Sequence, residues 1–213
     1  MESANLSPVG GARKARKAAT RKALKEAGHR CLAEHGYEGA SVARIARGAG
    51  VAHGTFYVHF ESKHALLDEL LAEFNAALAE RLAPVLGAAS TVGIEHTVRR
   101  TARVFLEHWR SERWFVESYA QRAAAGLTVG ALRDGINPPM LALLRAAFEG
   151  RSKALSAADV DADLVVHGLL ALWLRVGLQV VLGEAGSAER AAETLTRMTV
   201  GALEGLLSSA EES

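Results

Sequence analysis

Two glycines divide the stretch from Ser41 to Lys63 into two short segments, and this pattern limits the fold more than any other part of the chain. Ser41 can cap a first helix whose apolar residues recur at helical spacing, and Gly48-Ala-Gly50 can end that helix. A second helix follows, with Phe56 and Phe60 on its inner side. The stretch therefore predicts a helix, a glycine turn and a second short helix.

Polar side chains alternate with the two phenylalanines of the second helix. His53, Thr55, Tyr57 and His59 would face outward, and Lys63 follows at once. A short helix with hydrogen-bonding groups on one face is typical of a recognition helix, which enters the major groove of DNA. The pattern predicts that this segment binds duplex DNA.

The sequence GVAHGTFYVHFESKHALL, residues 50–67, closely resembles the signature of the TetR family of bacterial transcriptional regulators. The similarity extends from about Arg21 to Leu71. Its pattern is Gly-x-x-x-Gly-Thr-x-Tyr-x-His-Phe-x-Ser-Lys. Several specific residue types at this fixed spacing rarely occur together by chance. Two residues stand out: His64, where the family usually carries Glu, and His53, at a position that varies in the family and so suggests individual operator specificity.

The resemblance implies an all-α protein of two parts. We expect a disordered basic leader over 1–15 and a three-helix helix-turn-helix DNA-binding domain over 16–62. A larger helical ligand-binding and dimerisation domain would occupy 63–213. Charge follows this division, because 11 Lys and Arg against 5 Asp and Glu give +6 for residues 1–63, whereas 14 against 19 give −5 for the rest. A basic face would add affinity for phosphates, although a charge run alone does not exclude a solvated helix face.

Apolar spacing and helix-ending residues predict the helices outside the motif. The first runs from near Lys14 to Glu34 and ends at His35-Gly36. A long helix runs from Ser62 to about Ala83, where Pro84 stops it, and it would link the two parts. No strand is expected, and the remaining helices are predicted near 91–110, 112–125, 138–150, 157–183 and 187–208.

Residue roles at DNA follow from the resemblance. Base-edge contacts would come from the start of the recognition helix, where the missing side chain of Gly54 permits close approach. Phosphate contacts would come from its later residues and from the helices on either side. The basic run Arg13–Lys17 is compatible with an arm in a minor groove and equally with a solvated tail. The predicted DNA-binding residues are Ser41, Arg44, Arg47, His53, Gly54, Thr55, Tyr57, His59 and Lys63.

Aromatic residues are frequent in the second part, which holds all three tryptophans. The family encloses a ligand pocket in this region, and a small apolar or aromatic effector would suit such a lining. Ordinary core packing is the alternative for each aromatic residue. No metal site is expected, because no close pair of His or Cys ligands occurs, and no cofactor is expected either. The predicted ligand-binding residues are Phe105, Trp109, Trp114, Phe115, Tyr119, Phe148, His167, Trp173 and Arg175.

Small and apolar residues line the last two predicted helices. They would pack against their symmetry mates in a four-helix interface, which is how the family usually forms homodimers. The apolar run from Leu164 to Leu182 also raises the question of a membrane span, but His167 and Arg175 interrupt it, so a buried helix in a soluble dimer explains it better. A twofold dimer would require a palindromic DNA operator.

The sequence thus predicts a ligand-responsive transcriptional regulator, most simply a repressor, that an unidentified small-molecule effector releases from its operator. A constitutive DNA-binding dimer without a ligand is the first alternative. An enzyme tethered to DNA is the second, but no phosphate loop, nucleophile elbow or metal motif favours it. The single Cys31 is expected to be a buried structural thiol, and the polar N-terminus without a signal peptide favours the cytoplasm.

Overall fold

A computed structural model of the protein describes residues 8–124, 142–146, 156, 160–184 and 186–208. These residues are predominantly helical, and no strand occurs in the described ranges, so the all-α prediction is confirmed. The chain divides into two compact units, Met1–Leu71 and Ala72–Ser213. The expected boundary after residue 62, between a DNA-binding domain and a ligand-binding and dimerisation domain, stays a prediction.

The first unit contains three helices and the start of a fourth. Helix α1 spans Pro8–Gly39, α2 spans Val42–Gly48, α3 spans His53–His59, and α4 begins at Lys63. Residues 8–15, which were expected in a disordered leader, are helical. Ala12, Arg13, Lys14 and Ala15 favour a helix, and Pro8 is tolerated in its first turn, where a backbone N–H would have no partner within the helix. The predicted break in α1 falls at Gly36, which has a φ of 65° that favours glycine.

Apolar side chains from all four helices form the core of this unit. Cys31 is among them, so the prediction of a buried thiol is confirmed. Gly28 of α1 lies so close to α4 that an added Cβ would be 2.7 Å from Leu66 Cδ2. The tight packing holds α1 against the first turns of α4. The most deeply buried side chains are Leu24, Leu32, Ile45, Phe56, Leu66 and Leu67.

Helix α4 spans Lys63–Gly87 and continues through Pro84, so the predicted stop at this residue is wrong. Proline removes one backbone donor but has a φ suited to a helix. Because Pro84 lies in the last turns, few hydrogen bonds are lost, and the extra turn buries Val85. The helix passes from one unit into the other, since the division falls after Leu71.

After α4 the described chain forms α5 Ala89–Val92, α6 Ile94–Ser111, α7 Arg113–Ala124, α8 Ala162–Leu182 and α9 Ala188–Ser208. The second unit is built around α6, which packs against both C-terminal helices. The predicted helices near 112–125 and 187–208 are present, and residues 142–146 are helical within the predicted range 138–150. The helix predicted near 91–110 is divided into α5 and α6 at Gly93, which has a φ of 81°, and the helix predicted from residue 157 begins at Ala162. Asp161 caps α8 by accepting from the backbone N–H groups of Asp163 and Leu164, and Gly183 ends it with a φ of 79°.

One helix of the described residues, α8, is long and apolar enough to cross a membrane by length and composition alone. Only 22% of its most apolar window is buried within the protomer. A single helix of this kind is weak evidence for a membrane span. Its incompletely buried apolar surface therefore requires an explanation other than a membrane span.

Candidate nucleic-acid interface

Helix α2 is fixed by its cap and by two inward residues. The Ser41 Oγ accepts a hydrogen bond from the Arg44 backbone N–H at 3.3 Å, which confirms the predicted cap. Ile45 and Ala46 are buried, whereas Arg44 and Arg47 are exposed. The Arg44 side chain also donates to the Gly39 carbonyl at 2.8 Å, so this cation is partly engaged within the protein.

The turn between α2 and α3 depends on glycine. Gly50 has a φ of 69°, a conformation that other residues rarely adopt. The Val51 N–H then donates to the Ala46 carbonyl at 3.0 Å, which closes the end of α2. The predicted glycine turn is therefore present. Together with this hydrogen bond, it sets the direction in which α3 begins.

Helix α3 separates its residues into an inner and an outer side. Phe56 and Phe60 are buried, with ring centroids 5.6 Å apart, while Tyr57 is 52% exposed. The His53 ring lies edge-on to the Tyr57 ring at 5.5 Å, and both side chains face solvent. The short helix therefore presents hydrogen-bonding groups outward from an apolar anchor.

Two further residues of α3 affect its outer side. No atom lies within 4 Å of a Cβ placed on Gly54, so this position offers an open approach to a large partner, and Thr55 beside it is half-buried. Val58 is 67% exposed, a position that sequence reasoning missed. Its helical spacing of four from Gly54 could have revealed it, and an exposed methyl group there suits a thymine methyl.

His59 is less exposed than the prediction of a phosphate contact assumed. Its side chain is half-buried, and the buried Nδ1 has no hydrogen-bond partner among the described residues. Burial lowers the pKa of His59, and the charges of Lys17 and Arg21 lower it further. The ring is therefore neutral at pH 7 and would approach DNA as a hydrogen-bonding group.

Lys63 has a structural role that sequence reasoning missed. Its Nζ donates to the carbonyls of Tyr37 at 2.8 Å and Ala40 at 3.0 Å, and it lies 4.1 Å from the Tyr37 ring centroid. An ammonium group has three donors, so one is left for a phosphate oxygen. Lys63 thus joins the end of α1 to the start of α4 while keeping its charge near the proposed DNA surface.

Basic residues also line the start of α1. The run Arg13–Lys17 is helical and exposed, so it forms a charged helix face and not a flexible arm. Such a face can add electrostatic attraction to phosphates without reading bases.

Buried and half-buried aromatic rings form one connected cluster in the second unit. Phe105 lies 4.9 Å from Trp109 and 5.6 Å from Trp173, measured between ring centroids. Phe115 stacks on Phe74 of α4 at 3.9 Å and lies 6.3 Å from Trp109. Trp114 is buried beside Phe115, with centroids 6.2 Å apart. Five of the predicted ligand-binding residues are therefore brought together, although this contact also suits an ordinary core.

Two buried polar atoms near this cluster lack hydrogen bonds within the described part of the chain. They are the Trp109 Nε1, which is a donor, and the Ser118 Oγ, which can donate or accept. A buried polar group without a partner costs about 1–3 kcal/mol. Sequence reasoning missed Ser118, one turn beyond Phe115 on α7, because a serine in a helix gives no signal of burial.

The other predicted ligand-binding residues do not join this cluster in the structure. Arg175 is exposed, and His167 is half-buried with its Nδ1 2.7 Å from the Asp163 carbonyl of its own helix. The side chain of Tyr119 and the whole of Phe148 lie outside the described residues. An apolar run in the sequence does not show which polar residues of a helix face inward. The orientations of His167 and Arg175 on α8 could therefore be determined only from the structure.

His108, by contrast, lies at the edge of the cluster. It is buried, its Nε2 is 3.0 Å from the Phe74 carbonyl, and its Nδ1 is 3.4 Å from Arg81 Nη1. Because Nδ1 faces a guanidinium N–H, these contacts specify the neutral ring with its proton on Nε2. Burial lowers the pKa of His108, in agreement with this assignment.

The described part of the chain contains no group of three or more His, Cys, Asp or Glu residues that could hold a metal ion.

Known proteins resemble this chain in sequence and in fold. The family model described as "Bacterial regulatory proteins, tetR family" matches residues 24–70. The HTH-type transcriptional repressor DhaR of Mycobacterium sp. (strain GP1) is 26% identical over 199 residues, which cover 90% of this chain and 94% of that protein. The HTH-type transcriptional repressor AcnR of Corynebacterium efficiens is 41% identical over 61 residues, 29% of this chain and 32% of its own length.

A solved structure supports the fold along most of the chain. The transcriptional regulator FadR of Bacillus subtilis, in complex with stearoyl-CoA, superimposes with a TM-score of 0.61 at 17% identity and covers 84% of this chain and 97% of that one. The helix-turn-helix geometry, the family match and the repressor relatives agree with one another. Residues 24–70 thus carry the helix-turn-helix of the TetR family of bacterial regulatory proteins, and the chain resembles a transcriptional repressor along most of its length.

Proposed function

We propose that the protein is a ligand-responsive repressor that binds a palindromic operator as a homodimer. The observation that carries this proposal is the outer side of α3, where His53, Tyr57 and Val58 are exposed on a helix anchored by Phe56 and Phe60. Side chains so presented can reach base edges and phosphates in a major groove. The protein would act in the cytoplasm, where bacterial DNA is found.

Exposed apolar residues on α8 and α9 support a homodimer. Leu164 is 70% exposed and Met198 is 48% exposed, and only Val166, Leu170, Gly177 and Val181 of α8 are buried within one protomer. A second copy would cover this surface with the same two helices, as in a four-helix bundle. The dimer explains the apolar α8 without a membrane, and it supplies the two recognition helices that a palindrome requires.

The aromatic cluster supports a small apolar or aromatic effector that also carries a hydrogen-bond acceptor. Such a molecule would satisfy the Trp109 N–H and the Ser118 hydroxyl, which are buried without partners in the described part of the chain. FadR of Bacillus subtilis holds stearoyl-CoA in the same fold, so an acyl compound is a reasonable first ligand to test.

Release from DNA would be a shift between two states. Helix α4 carries Phe74 in the cluster and begins in the first unit, where its Leu66 packs against Gly28 of α1, so an effector that moves Phe74 acts on a helix that contacts α1. To convert a mostly bound population into a mostly free one, the effector must prefer the released state by roughly 10⁴-fold. Equal affinity for both states would leave the operator occupied.

Footprinting of the DNA that flanks the gene tests the proposal. We expect two protected half-sites related by a twofold axis, with centres ~34 Å apart or a multiple of that distance. Added acyl or aromatic compounds should remove the protection at concentrations at which they bind the protein. Absence of any protected sequence at low salt would contradict the DNA-binding proposal, and a single unrepeated site would contradict the dimer.

A second candidate function is a constitutive repressor without an effector. The packing around Gly177 favours it, because a Cβ at this position would lie 2.8 Å from Phe105 Cε1 and 2.9 Å from Trp109 Cε3, as in a filled core. The two candidates differ in ligand response. A compound that raises the melting temperature but leaves operator affinity unchanged would argue for the constitutive repressor.

A further inference from the structure

The guanidinium of Arg21 contacts two other helical segments at the C-terminal end of α3. Its Nη1 donates to the carbonyl of His59, the last residue of α3, and its Nη2 donates to the carboxylate of Glu69 on α4. The same guanidinium lies 4.2 Å from the centroid of the Phe60 ring. One side chain of α1 thereby joins the end of the recognition helix to α4.

The His59 carbonyl is one of the groups that a helix leaves without an internal partner at its C-terminus. A cation is favourable there, because the carbonyl ends of the helix carry partial negative charge. The opposite end of α3 has no side-chain cap at Ala52. A seven-residue helix has little stability by itself, so contacts such as that of Arg21 contribute to its orientation.

Glu69 in turn fixes Arg21. Its carboxylate also pairs with Lys25, whose Nζ lies 3.2 Å from Glu69 Oε1. Burial alone would raise the pKa of Glu69, but the hydrogen bonds from Arg21 and Lys25 hold the pKa below its ordinary value. The carboxylate is thus ionised at neutral pH and restrains the fork of the guanidinium.

We propose that Arg21 is a positioning residue for DNA recognition and that Glu69 holds it in place, so that α4 sets the orientation of α3 through this ion pair. The inference rests on the proposed DNA-binding function. If it is correct, operator affinity depends on Glu69, although this residue is negatively charged and so would not attract DNA.

A direct electrostatic role makes the opposite prediction. If the charge of Glu69 acted only on the phosphates, Glu69→Gln would remove repulsion and strengthen binding. If Glu69 positions α3 through Arg21, the same substitution weakens binding to the operator. Likewise, a phosphate contact by Arg21 would appear in the salt dependence, because each lost phosphate contact lowers the slope of log K against log salt by about one.

The experiment measures fluorescence anisotropy on the footprinted duplex and on a scrambled duplex over a range of salt. The variants are Glu69→Gln, Arg21→Gln and Arg21→Lys, and the control is Glu61→Gln, which removes one exposed carboxylate near α3. Because Arg21 and Glu69 are 40% and 31% exposed, we expect a moderate loss of operator affinity of about fivefold for Glu69→Gln. Binding to the scrambled duplex and the salt slope should stay unchanged, and Glu61→Gln should bind at least as tightly as the wild type.

Arg21→Lys separates position from charge, because a lysine keeps the charge but lacks the fork that reaches both partners. Operator affinity should fall for this variant as for Arg21→Gln. Unchanged or tighter operator binding by Glu69→Gln would overturn the inference, and so would a salt slope that Arg21→Gln lowers by about one. Circular dichroism identifies any variant that fails to fold, and Arg21→Lys then provides the decisive comparison. Failure of the wild type itself to prefer the footprinted duplex would count against the proposed function. The comparison of variants with the wild type tests only the role of Arg21 and Glu69, so the two failures can be distinguished.

Discussion

Replacement of Gly177 by alanine would place a methyl group against two buried rings. The Cβ would lie 2.8 Å from Phe105 Cε1 and 2.9 Å from Trp109 Cε3, whereas favourable carbon contacts lie at about 3.5–4.0 Å. Neither ring can withdraw easily, because Phe105 is packed against both Trp109 and Trp173. The methyl group therefore forces a shift between α6 and α8.

Two opposing effects set the size of the change. Alanine favours a helix over glycine by about 1 kcal/mol, while an overpacked core costs about 1–3 kcal/mol. A matched control removes the first effect: Gly201 of α9 is also helical, and no atom lies within 4 Å of a Cβ placed there. The difference between Gly177→Ala and Gly201→Ala should therefore report the steric cost, about 2 kcal/mol.

Thermal unfolding at one fixed protein concentration provides the assay, because the stability of a dimer depends on concentration. For a chain of this size, 2 kcal/mol corresponds to roughly 4–8 °C in melting temperature. We expect Gly177→Ala to melt that far below Gly201→Ala. Equal melting temperatures, or a more stable Gly177→Ala protein, would refute the close packing of α6 against α8.

Three further predictions concern DNA contacts and pH. Lys63→Ala should weaken binding to operator and scrambled duplexes alike and, since its Nζ holds two carbonyls of the first unit, should also lower the melting temperature. His53→Ala should reduce the preference for the operator over scrambled DNA, as measured by anisotropy at fixed salt, and equal losses on both duplexes would exclude a role in specificity. His108 has a lowered pKa in the fold, so its stabilising contribution is complete above the ordinary value of 6.5 and is lost as pH falls, because the unfolded chain takes up the proton first. His108→Asn should therefore show a smaller fall in melting temperature between about pH 7.5 and pH 5.5 than the wild type, and an unchanged pH dependence would count against the buried neutral ring.

The helix-turn-helix could be predicted because its signals are local. Gly50 is required by its φ of 69°, and the spacing of Phe56 and Phe60 defines the buried side of α3 within a few residues. Tyr57 then faces solvent as a direct consequence. Such features depend on neighbours in sequence, so the residues alone indicate them.

Features that depend on distant parts of the chain could not be predicted in the same way. Lys63 looks like a free cation in the sequence, yet its ammonium donates to the carbonyls of Tyr37 in α1 and of Ala40 just after it. Pro84 looks like a helix stop, yet α4 continues past it and buries Val85. Ser118 and Arg175 occupy helices whose buried side is set by packing between α6, α7 and α8. Tertiary contacts decide these positions, and no local pattern records them.

Selection of binding sites from a library of random DNA duplexes tests most directly the claim that this chain reads DNA through α3 as a twofold dimer. The purified full chain should enrich a palindromic site, and a protein with His53→Ala and Tyr57→Ala together should enrich it far less. Failure of the wild type to enrich any sequence, or equal enrichment by the double variant, would contradict the assignment of α3 as the recognition helix.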